Sequence, residues 1–482
     1  MSKTYEGGDE ALPLRDLRRR ASEDSTGSGD LEQLLEASED ESETSSITLP
    51  PVNRGRGAWS CLLGCWLVEA MIWGFPLAFG VFQRSYSSND LFKDSSNIAT
   101  IGTLDAGIAY LGMPLVNPVA LRWPQHRRAM AVFGWVLCLV GLIGASFATN
   151  VTHLLLSQGL LYGVGWVICY TPQLFIINEW FVDKRGLAYG ILFGASGVTG
   201  LVIPVTIDWL LERYGFRTAL RVYAIAIVVL SGPGLFLIHP RMPVSNHAKT
   251  ATRNRDHTVL RTMRSFATSL HFLIMAAAIF VQGLGFFLPN IYIPSYADAL
   301  GLSTTAGSSL LAWVSLSQVA GQLWQGWVSD KVNIYIPLSI SALIPGLSTL
   351  LLWGPAKGMT YLIPFALIWG FFSASYSVLF TRVCSFLTEQ HRWGQDHDDI
   401  SMLLYGFFNF ERGVSLLMEG PLSSWLIGQD RPIDGNRYGL GRYASVIEFT
   451  VLSLLSALGG SGERRSELEV SAYQDLMPIE HA

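Results

Sequence analysis

The chain has 482 residues, of which half are apolar and only 15% are charged. Soluble domains contain about 25% charged residues, so a deficit sustained over this length places most of the chain away from water. The formal net charge is −5 and no basic block dominates, which excludes a nucleic-acid-binding protein. Composition therefore predicts an all-α polytopic membrane protein.

The first 56 residues differ from the rest, because their 13 acidic and 7 basic residues carry a net charge of −6. Aromatic residues are nearly absent, so we expect a disordered acidic cytoplasmic tail over 1–56. The run RRRAS ending at Ser22 is typical of a kinase site, and Asp30 before Leu34 and Leu35 has the spacing of a dileucine sorting signal. A kinase and a sorting adaptor are candidate partners; the alternative is a solvated tail without a specific reader.

Twelve apolar stretches follow, each long enough for a helix to cross a bilayer core about 30 Å thick. They cover 58–82, 97–121, 129–149, 152–178, 187–209, 219–239, 268–293, 305–328, 334–354, 359–384, 401–427 and 441–460. The longest polar interruption falls after the sixth, so we expect six-helix halves over 57–240 and 268–460. A cytoplasmic middle loop, 241–267, joins the halves in this prediction, and a cytoplasmic tail, 461–482, ends the chain.

Lys and Arg are unevenly divided between alternate loops. With the N-terminus inside, the inner segments from residue 54 onward hold seventeen of them and the outer segments hold nine. Because cytoplasmic loops carry the excess of basic residues, this division predicts that both termini are cytoplasmic. We expect the plasma membrane as the location, with a vacuolar or other endomembrane as the alternative.

Four sequence segments carry a family resemblance. Residues 178–190 read NEWFVDKRGLAYG, and the segments 74–76 (GFP), 283–289 (GLGFFLP) and 409–413 (NFERG) accompany this motif. Together they resemble the monocarboxylate porter family of the major facilitator superfamily, especially its filamentous-fungal branch. The resemblance implies twelve transmembrane helices in two six-helix halves. It also implies transport by alternating access around a cavity lined by spans 1, 4, 7 and 10.

Four charged residues at span ends are candidates for a contact that latches one conformation. Lys184 and Arg185 follow span 4, and Asp330 and Lys331 end the segment GWVSDK, which resembles the superfamily's motif between spans 8 and 9. A neighbouring helix N-terminus would donate hydrogen bonds to Asp330. The matching loop 122–128 keeps basic residues but lacks the usual Asp, so no equivalent latch is expected in the N-terminal half.

Ionisable residues at membrane depth are costly and are treated as functional hypotheses. Glu69, near the middle of span 1, is a candidate proton carrier or substrate contact; the alternative is a residue that only fixes packing. Arg412, mid-way along span 11, stays charged and needs an anion, either a substrate carboxylate or an acidic side chain. The candidate acids are Glu69, Glu419 and Glu448. Asp105 in span 2 is a further candidate, expected to be wet at the cavity mouth.

The chain departs from animal monocarboxylate carriers where those carriers handle the proton and the carboxylate. They place a Lys after the Pro of the span 1 motif, where this chain has Leu77. They carry an Asp and an Arg four apart in span 8, where Gln318 and Gln322 stand here. Proton-coupled lactate transport is therefore not implied by the resemblance.

Aromatic, amide and hydroxyl side chains in the expected cavity spans suit an amphipathic organic solute. They are Trp73, Tyr162, Trp166, Tyr170, Gln173, Gln282, Phe286, Phe287, Tyr292, Trp369, Ser373, Ser375 and Tyr376. The alternative for each is simple packing between helices.

The sequence shows no catalytic constellation, no metal-ligand cluster and no GxxxxGK[ST] loop, so we expect no enzyme activity, no cofactor and no ATP-driven transport. We predict a secondary active or facilitative transporter of a small organic solute, either monocarboxylate-like or a secondary metabolite. Proton symport through Glu69 is a candidate coupling. The expected partners are the lipid bilayer, the solute and protons, and the alternative function is a non-transporting membrane sensor that signals through its tail.

Overall fold

The computed structural model describes residues 50–92, 97–241, 270–373, 376–389, 397–427, 433–434 and 437–456. Helices joined by turns and short loops make up these ranges, and each of the twelve predicted spans corresponds to a helix or to consecutive helices within them. The kinase and dileucine motifs, the middle loop beyond residue 241 and the C-terminal tail lie outside the described residues. The bundle is an all-α polytopic membrane fold of two six-helix halves.

The N-terminal half contains spans 1 to 6. In chain order they are span 1, Gly55–Ser87; span 2, Ile98–Leu111 with Met113–Arg122; span 3, Arg127–Ala145; span 4, Val151–Leu154, Leu155–Leu161 and Tyr162–Trp180; and spans 5 and 6 together, Arg185–Leu237. The last helix has 53 residues and changes direction at Gly215, where φ is +74°. An L side chain is strained at that φ, so glycine lets these two spans join without a loop.

The C-terminal half contains spans 7 to 12. They are span 7, Leu270–Phe286 with Leu288–Ala299; span 8, Thr304–Ser329; span 9, Tyr335–Ser348 with Thr349–Trp353; span 10, Met359–Ile368, Trp369–Ser373 and Tyr376–Glu389; span 11, His397–Leu426; and span 12, Ala444–Ser456. Span 7 breaks at Phe287, and Pro289 lies in the first turn of the helix that follows, where proline is tolerated.

Seven helices in the described residues are long and apolar enough to cross a membrane, and span 2, bent by 41°, makes an eighth. Spans 8 and 11 are long enough but more polar. Their polar side chains are turned inward, since Gln322, Gln325 and Asn409 are all buried. Inward polar residues on spanning helices are typical of a protein that conducts a polar or charged solute through its interior.

Spans 5 and 8 cross closely through glycines, and this crossing joins the two halves. A Cβ added to Gly186 would lie 2.5 Å from the backbone oxygen of Gly326, and a Cβ added to Gly190 would collide with the backbone of Gln322. Gly186 and Gly190, four residues apart on one face of span 5, therefore allow the close approach of span 8. Gly194 faces open space instead.

Candidate functional site

A cavity of about 160 Å³ lies between the two halves. Spans 1, 2, 4 and 5 line it on one side, and spans 7, 8, 10 and 11 line it on the other. All four spans that the family resemblance implied are present in the lining, together with four others. Among the described residues that line it, one is acidic, Glu69, and one is basic, Arg412, and they belong to opposite halves.

Span 1 presents Glu69 to the cavity and also supplies its hydrogen-bond donor. The indole Nε1 of Trp73 donates to Oε1 of Glu69 across 2.6 Å, which the spacing of four residues along one helix face allows. Trp73 meets the ring of Trp166 edge-on at 5.2 Å, and Trp166 stacks on Tyr170 at 4.6 Å. Trp73, Trp166 and Tyr170 thus form an aromatic stack beside a buried carboxyl group.

Arg412 is buried on the opposite wall, with 3% of its surface exposed. Its guanidinium carbon lies 3.9 Å from the ring centre of Phe286, and its Nη1 donates to Oε1 of Gln282 across 3.3 Å. Phe286 and Phe287 stand at the break in span 7, so the irregular backbone there brings both rings to the cavity. The basic group is therefore contacted by an aromatic face and an amide, and it also interacts with the hydroxyl of Tyr110 and electrostatically with the carboxyl group of Glu419.

Two hydroxyl groups join the halves beside this cavity. The Tyr170 and Tyr405 hydroxyls lie 3.1 Å apart, and both residues line the cavity. The Cβ of Tyr110, on span 2, packs against Gly413 on span 11, so Tyr110 also makes a contact between the two halves. Sequence reasoning did not select Tyr110 or Tyr405, because neither belongs to a recognisable motif and each matters only through its partner on the other half.

Five residues form a second contact between the halves, which we call the inter-half cluster: Arg185, Gly186, Leu187, Asp330 and Asp398. Asp330 accepts hydrogen bonds from the backbone N–H groups of Gly186 at 2.7 Å and Leu187 at 2.8 Å, at the first turn of span 5. Arg185 forms an ion pair with Asp398 at 2.8 Å. The halves are thus held together at this end by short, charge-assisted bonds.

Of the four latch candidates, the structure brings Arg185 and Asp330 into the inter-half cluster and leaves the other two side chains outside it. Lys184 is exposed, and the ammonium of Lys331 lies over the ring of Trp327 at 3.9 Å within its own half. Burial raises the pKa of Asp330 above its ordinary value, and the N–H groups of Gly186 and Leu187 oppose that rise.

Asn53 ties the start of span 1 to the loop between spans 4 and 5. Its Oδ1 accepts from the backbone N–H of Val182 at 2.8 Å, and its Nδ2 donates to Oδ2 of Asp183 at 2.8 Å. Asn53 has a φ of +58°, which asparagine tolerates better than most residues. This loop leads directly into Arg185, so the chain that precedes span 1 is bonded next to the inter-half cluster.

A buried ion pair stabilises the same end within the N-terminal half. Arg127 and Glu179 lie 2.8 Å apart, both almost fully buried, and the guanidinium of Arg127 lies over the ring of Phe175 at 4.5 Å. The other oxygen of Glu179 accepts from the backbone N–H of Arg241 at 2.9 Å. Although Glu179 lies within the family-like motif, only the folded structure shows that its partner comes from span 3.

Three predicted site residues lie outside the cavity lining. Asp105 is 1% exposed, and neither of its carboxyl oxygens has a hydrogen-bond partner among the described residues. Its backbone packs against Gly163 of span 4, so the expectation that Asp105 is wet at the cavity mouth is wrong for this conformation. Gln282 lies behind the cavity as the hydrogen-bond acceptor for Arg412, and Tyr376 packs against Phe380 with ring centres 5.4 Å apart.

The other expected side chains divide clearly. Those that line the cavity are Glu69, Trp73, Trp166, Tyr170, Phe286, Phe287 and Arg412, and the two span 8 amides, Gln318 and Gln322, join them. Those not in the lining include Tyr162, Gln173, Tyr292, Trp369 and Ser373. Ser375 lies outside the described residues.

Comparisons with known proteins agree with this architecture. The family model of the Major Facilitator Superfamily matches residues 59–410, and the chain therefore belongs to this superfamily. A transporter of this superfamily, FucP, solved in its outward conformation, has a TM-score of 0.59 at 14% identity, covering 83% of this chain and 98% of FucP. That likeness concerns the fold alone.

Relatives by sequence support the monocarboxylate-porter branch. Monocarboxylate transporter 13 of Rattus norvegicus is 26% identical over 441 residues, covering 90% of this chain and 97% of the relative. The Fujikurins efflux protein of Gibberella fujikuroi is 29% identical over 329 residues, 68% of each chain. MFS-type transporter 1 of an Ophiocordyceps species is 30% identical over 341 residues, 68% of this chain and 73% of the relative. The protein is thus a multi-pass membrane solute transporter.

Proposed function

We propose that this protein carries a small amphipathic organic solute by alternating access, with the cavity between its halves as the binding site. The observation that carries the proposal is the shared lining, because a solute bound there contacts both halves at once. Rocking of one half against the other then exposes the same site to either side of the membrane. The inter-half cluster closes one end of this path in the conformation described here.

The orientation that we propose follows from the basic residues of the loops. The inter-half cluster lies on the side that holds seventeen of the loop Lys and Arg residues, which favours the cytoplasm. In this proposal both termini are cytoplasmic, and the inter-half cluster closes the cavity on the cytoplasmic side. We propose the plasma membrane as the location.

The solute class that we propose is a monocarboxylate-like compound or a secondary metabolite. One relative is named a monocarboxylate transporter and another an efflux protein for fujikurins, so both classes are represented among similar chains. A cavity of about 160 Å³ is smaller than the ~300 Å³ at which pockets for drug-sized ligands begin, which supports a small solute in this conformation.

Proton coupling is proposed to use Glu69. It is a buried carboxyl group in the cavity wall, and its bond to Trp73 holds it in place whether or not a proton is bound on its second oxygen. Glu69→Gln should therefore retain counterflow exchange of solute while it loses accumulation driven by a pH gradient. Glu448→Gln, a matched change at an exposed position, should leave both intact. Unchanged accumulation in Glu69→Gln would exclude this residue as the proton site.

The experiment that tests the transport function is a screen of organic acids on reconstituted vesicles, with and without a pH gradient. We expect saturable flux of at least one solute class, dependent on the protein. Binding without flux under every imposed gradient would contradict the proposal.

A further inference from the structure

Three arginines flank the bend between spans 5 and 6, on the surface of the bundle. Arg213 precedes the bend at Gly215, and Arg217 and Arg221 follow it, four residues apart and therefore on one face of span 6. All three are exposed, and none of them lines the cavity. We propose that these three residues, which we call the arginine surface, bind the phosphate of an anionic phospholipid whose acyl chains lie along span 6.

The position of the arginine surface along the chain is unusual for basic residues. With the N-terminus inside, its members are three of the nine Lys and Arg residues on the outer side, where membrane proteins normally carry few. Their charge opposes the orientation that the other loops favour. A local ligand of opposite charge accounts for basic residues at this place.

The arginine surface carries an excess of positive charge. The ion pairs of the described residues include none of its three guanidinium groups. Two acids lie at the same end of span 5. Asp208 lies 3.8 Å from Arg84, and Glu212 is exposed next to Arg213 in the sequence. Arginines at the edge of a membrane attract anionic headgroups, and a guanidinium can donate two parallel hydrogen bonds to a phosphate.

Neighbouring side chains hold the three guanidinium groups in place. Each guanidinium carbon lies 4.7–6.0 Å from the centre of an aromatic ring, within the range of a cation–π interaction. In the order of the arginines, the rings are those of Trp209, Phe216 and Phe147. Nε of Arg221 also donates to Oγ of Ser146, at the end of span 3, across 3.1 Å. Groups that are already positioned lose less freedom when a phosphate binds.

The surroundings of the arginine surface are apolar and exposed, which favours a lipid over a free phosphate. Trp209 and Tyr214 are each 52% exposed, and exposed aromatic rings of this kind are typical of the membrane–water interface. Val222 and Ile225 are exposed further along span 6, toward the middle of the membrane. A phospholipid contacts both regions at once, whereas a free phosphate contacts only the arginines.

The test measures the binding of two lipids with the same acyl chains to the purified full-length protein. Phosphatidylglycerol is anionic and phosphatidylcholine is zwitterionic, and native mass spectrometry reports the affinity of each. Because each nearby arginine adds to the attraction of an anionic headgroup, phosphatidylglycerol should bind roughly tenfold or more tightly than phosphatidylcholine. Equal affinity for the two lipids would overturn the proposal.

Two double variants show whether the preference belongs to this surface. Arg213→Gln with Arg217→Gln should remove most of the preference for phosphatidylglycerol. Arg54→Gln with Arg56→Gln removes the same charge from exposed positions at the other end of the bundle, and it should keep the preference. An equal loss in both double variants would mean that only the net charge matters, and it would refute a site at the arginine surface.

A third variant leaves every arginine in place, so it is informative even if the first double variant unfolds. Glu212→Gln removes the exposed acid beside Arg213. Affinity for phosphatidylglycerol should rise several-fold, because one repelling charge is lost, while affinity for phosphatidylcholine stays the same. An unchanged affinity for phosphatidylglycerol would contradict the proposal.

Competition distinguishes a lipid from a free phosphate. Glycerol 3-phosphate and inorganic phosphate supply the anion without acyl chains, so neither should displace phosphatidylglycerol when present at the same concentration. Displacement by either compound would assign the surface to a soluble phosphate and overturn the lipid assignment. The preference should also weaken in about 1 M salt, where exposed charges are screened beyond ~3 Å. A preference that is independent of salt would exclude the exposed arginines as its source.

Discussion

The charged groups of the inter-half cluster and those of the cavity walls differ in their bonding partners. In the cluster, Asp330 accepts two backbone N–H bonds and Arg185 has both Asp398 and Ser385 as partners, at 2.8 and 3.1 Å. In the cavity, Arg412 donates to the amide oxygen of Gln282 at 3.3 Å and lies against the ring of Phe286, and no carboxylate oxygen of the described residues lies within 4.0 Å of it. Short bonds to charged groups hold one end of the bundle closed, while the two charged side chains in the middle, Glu69 and Arg412, line the cavity.

The two regions contribute to different free energies, that of the closed conformation and that of solute binding. Contacts in the cluster stabilise the closed conformation without any ligand, so they set how often the bundle opens at that end. In the function proposed above, the charges in the cavity interact with the solute that enters, so they contribute to the choice of solute. Each of the following substitutions changes either a contact that joins the two halves or the lining of the cavity.

The largest effect is expected where the two halves touch backbone to backbone. Gly326→Ala places a Cβ against the backbone of Gly186, and nothing at that crossing is a flexible side-chain end that can move away. Overpacking of this kind costs about 1–3 kcal/mol, and we expect the upper part of that range. A lower thermal unfolding midpoint and reduced flux should follow. Gly194→Ala, which fills open space, is the matched control and should change neither.

A smaller effect is expected at Asp330. Asp330→Asn keeps the shape but removes the negative charge, and one of the two backbone N–H groups then faces an amide donor. Loss of one charge-assisted bond costs about 1.5–3 kcal/mol. This changes the equilibrium constant between the closed and open conformations roughly tenfold or more. Spin labels at the exposed Val182 and Val332, one on each half, should report a longer distance in the variant. An unchanged distance distribution would remove Asp330 from the closing contact.

The smallest effect is expected at the hydroxyl pair. Tyr405→Phe removes one of two neutral hydroxyls that lie 3.1 Å apart and leaves the ring in place. A neutral hydrogen bond contributes about 0.5–1.5 kcal/mol, so solute affinity and unfolding midpoint should change only slightly. Solute titration of Tyr405→Phe and Tyr170→Phe in parallel checks this. A loss of solute affinity of roughly tenfold or more in either variant would mean that the pair contacts the solute directly.

Much of this arrangement could be predicted before the fold was known. The twelve apolar stretches and the split into halves follow from composition and from the length of the polar interruption after span 6. The candidacy of Arg185 and Asp330, together with Lys184 and Lys331, also follows, because each lies in a recognisable motif. These features are local, and a local pattern constrains a helix whatever it packs against.

The remaining features depend on which helix faces pack against each other. Asp105 looked like a residue at a cavity mouth because its depth along span 2 is readable, but the rotation of that helix is not, and the structure turns it against span 4. Neither Tyr110 nor Tyr405 lies in a recognisable motif. Their importance follows only from their contacts with residues of the opposite half. Asn53 depends on a loop about 130 residues away, which it meets with a positive φ.

Composition and spacing thus decide that the chain crosses the membrane repeatedly, which residues end its helices and which charges are buried at depth. They do so because each of these properties costs or gains free energy within a single helix. Tertiary structure alone decides that Glu69 and Arg412 face one cavity, that Glu69 has a hydrogen-bond donor in Trp73, and that Arg412 donates to Gln282 and lies against Phe286. Those outcomes depend on how helices rotate and pack against one another across the two halves, and no spacing along one helix encodes them.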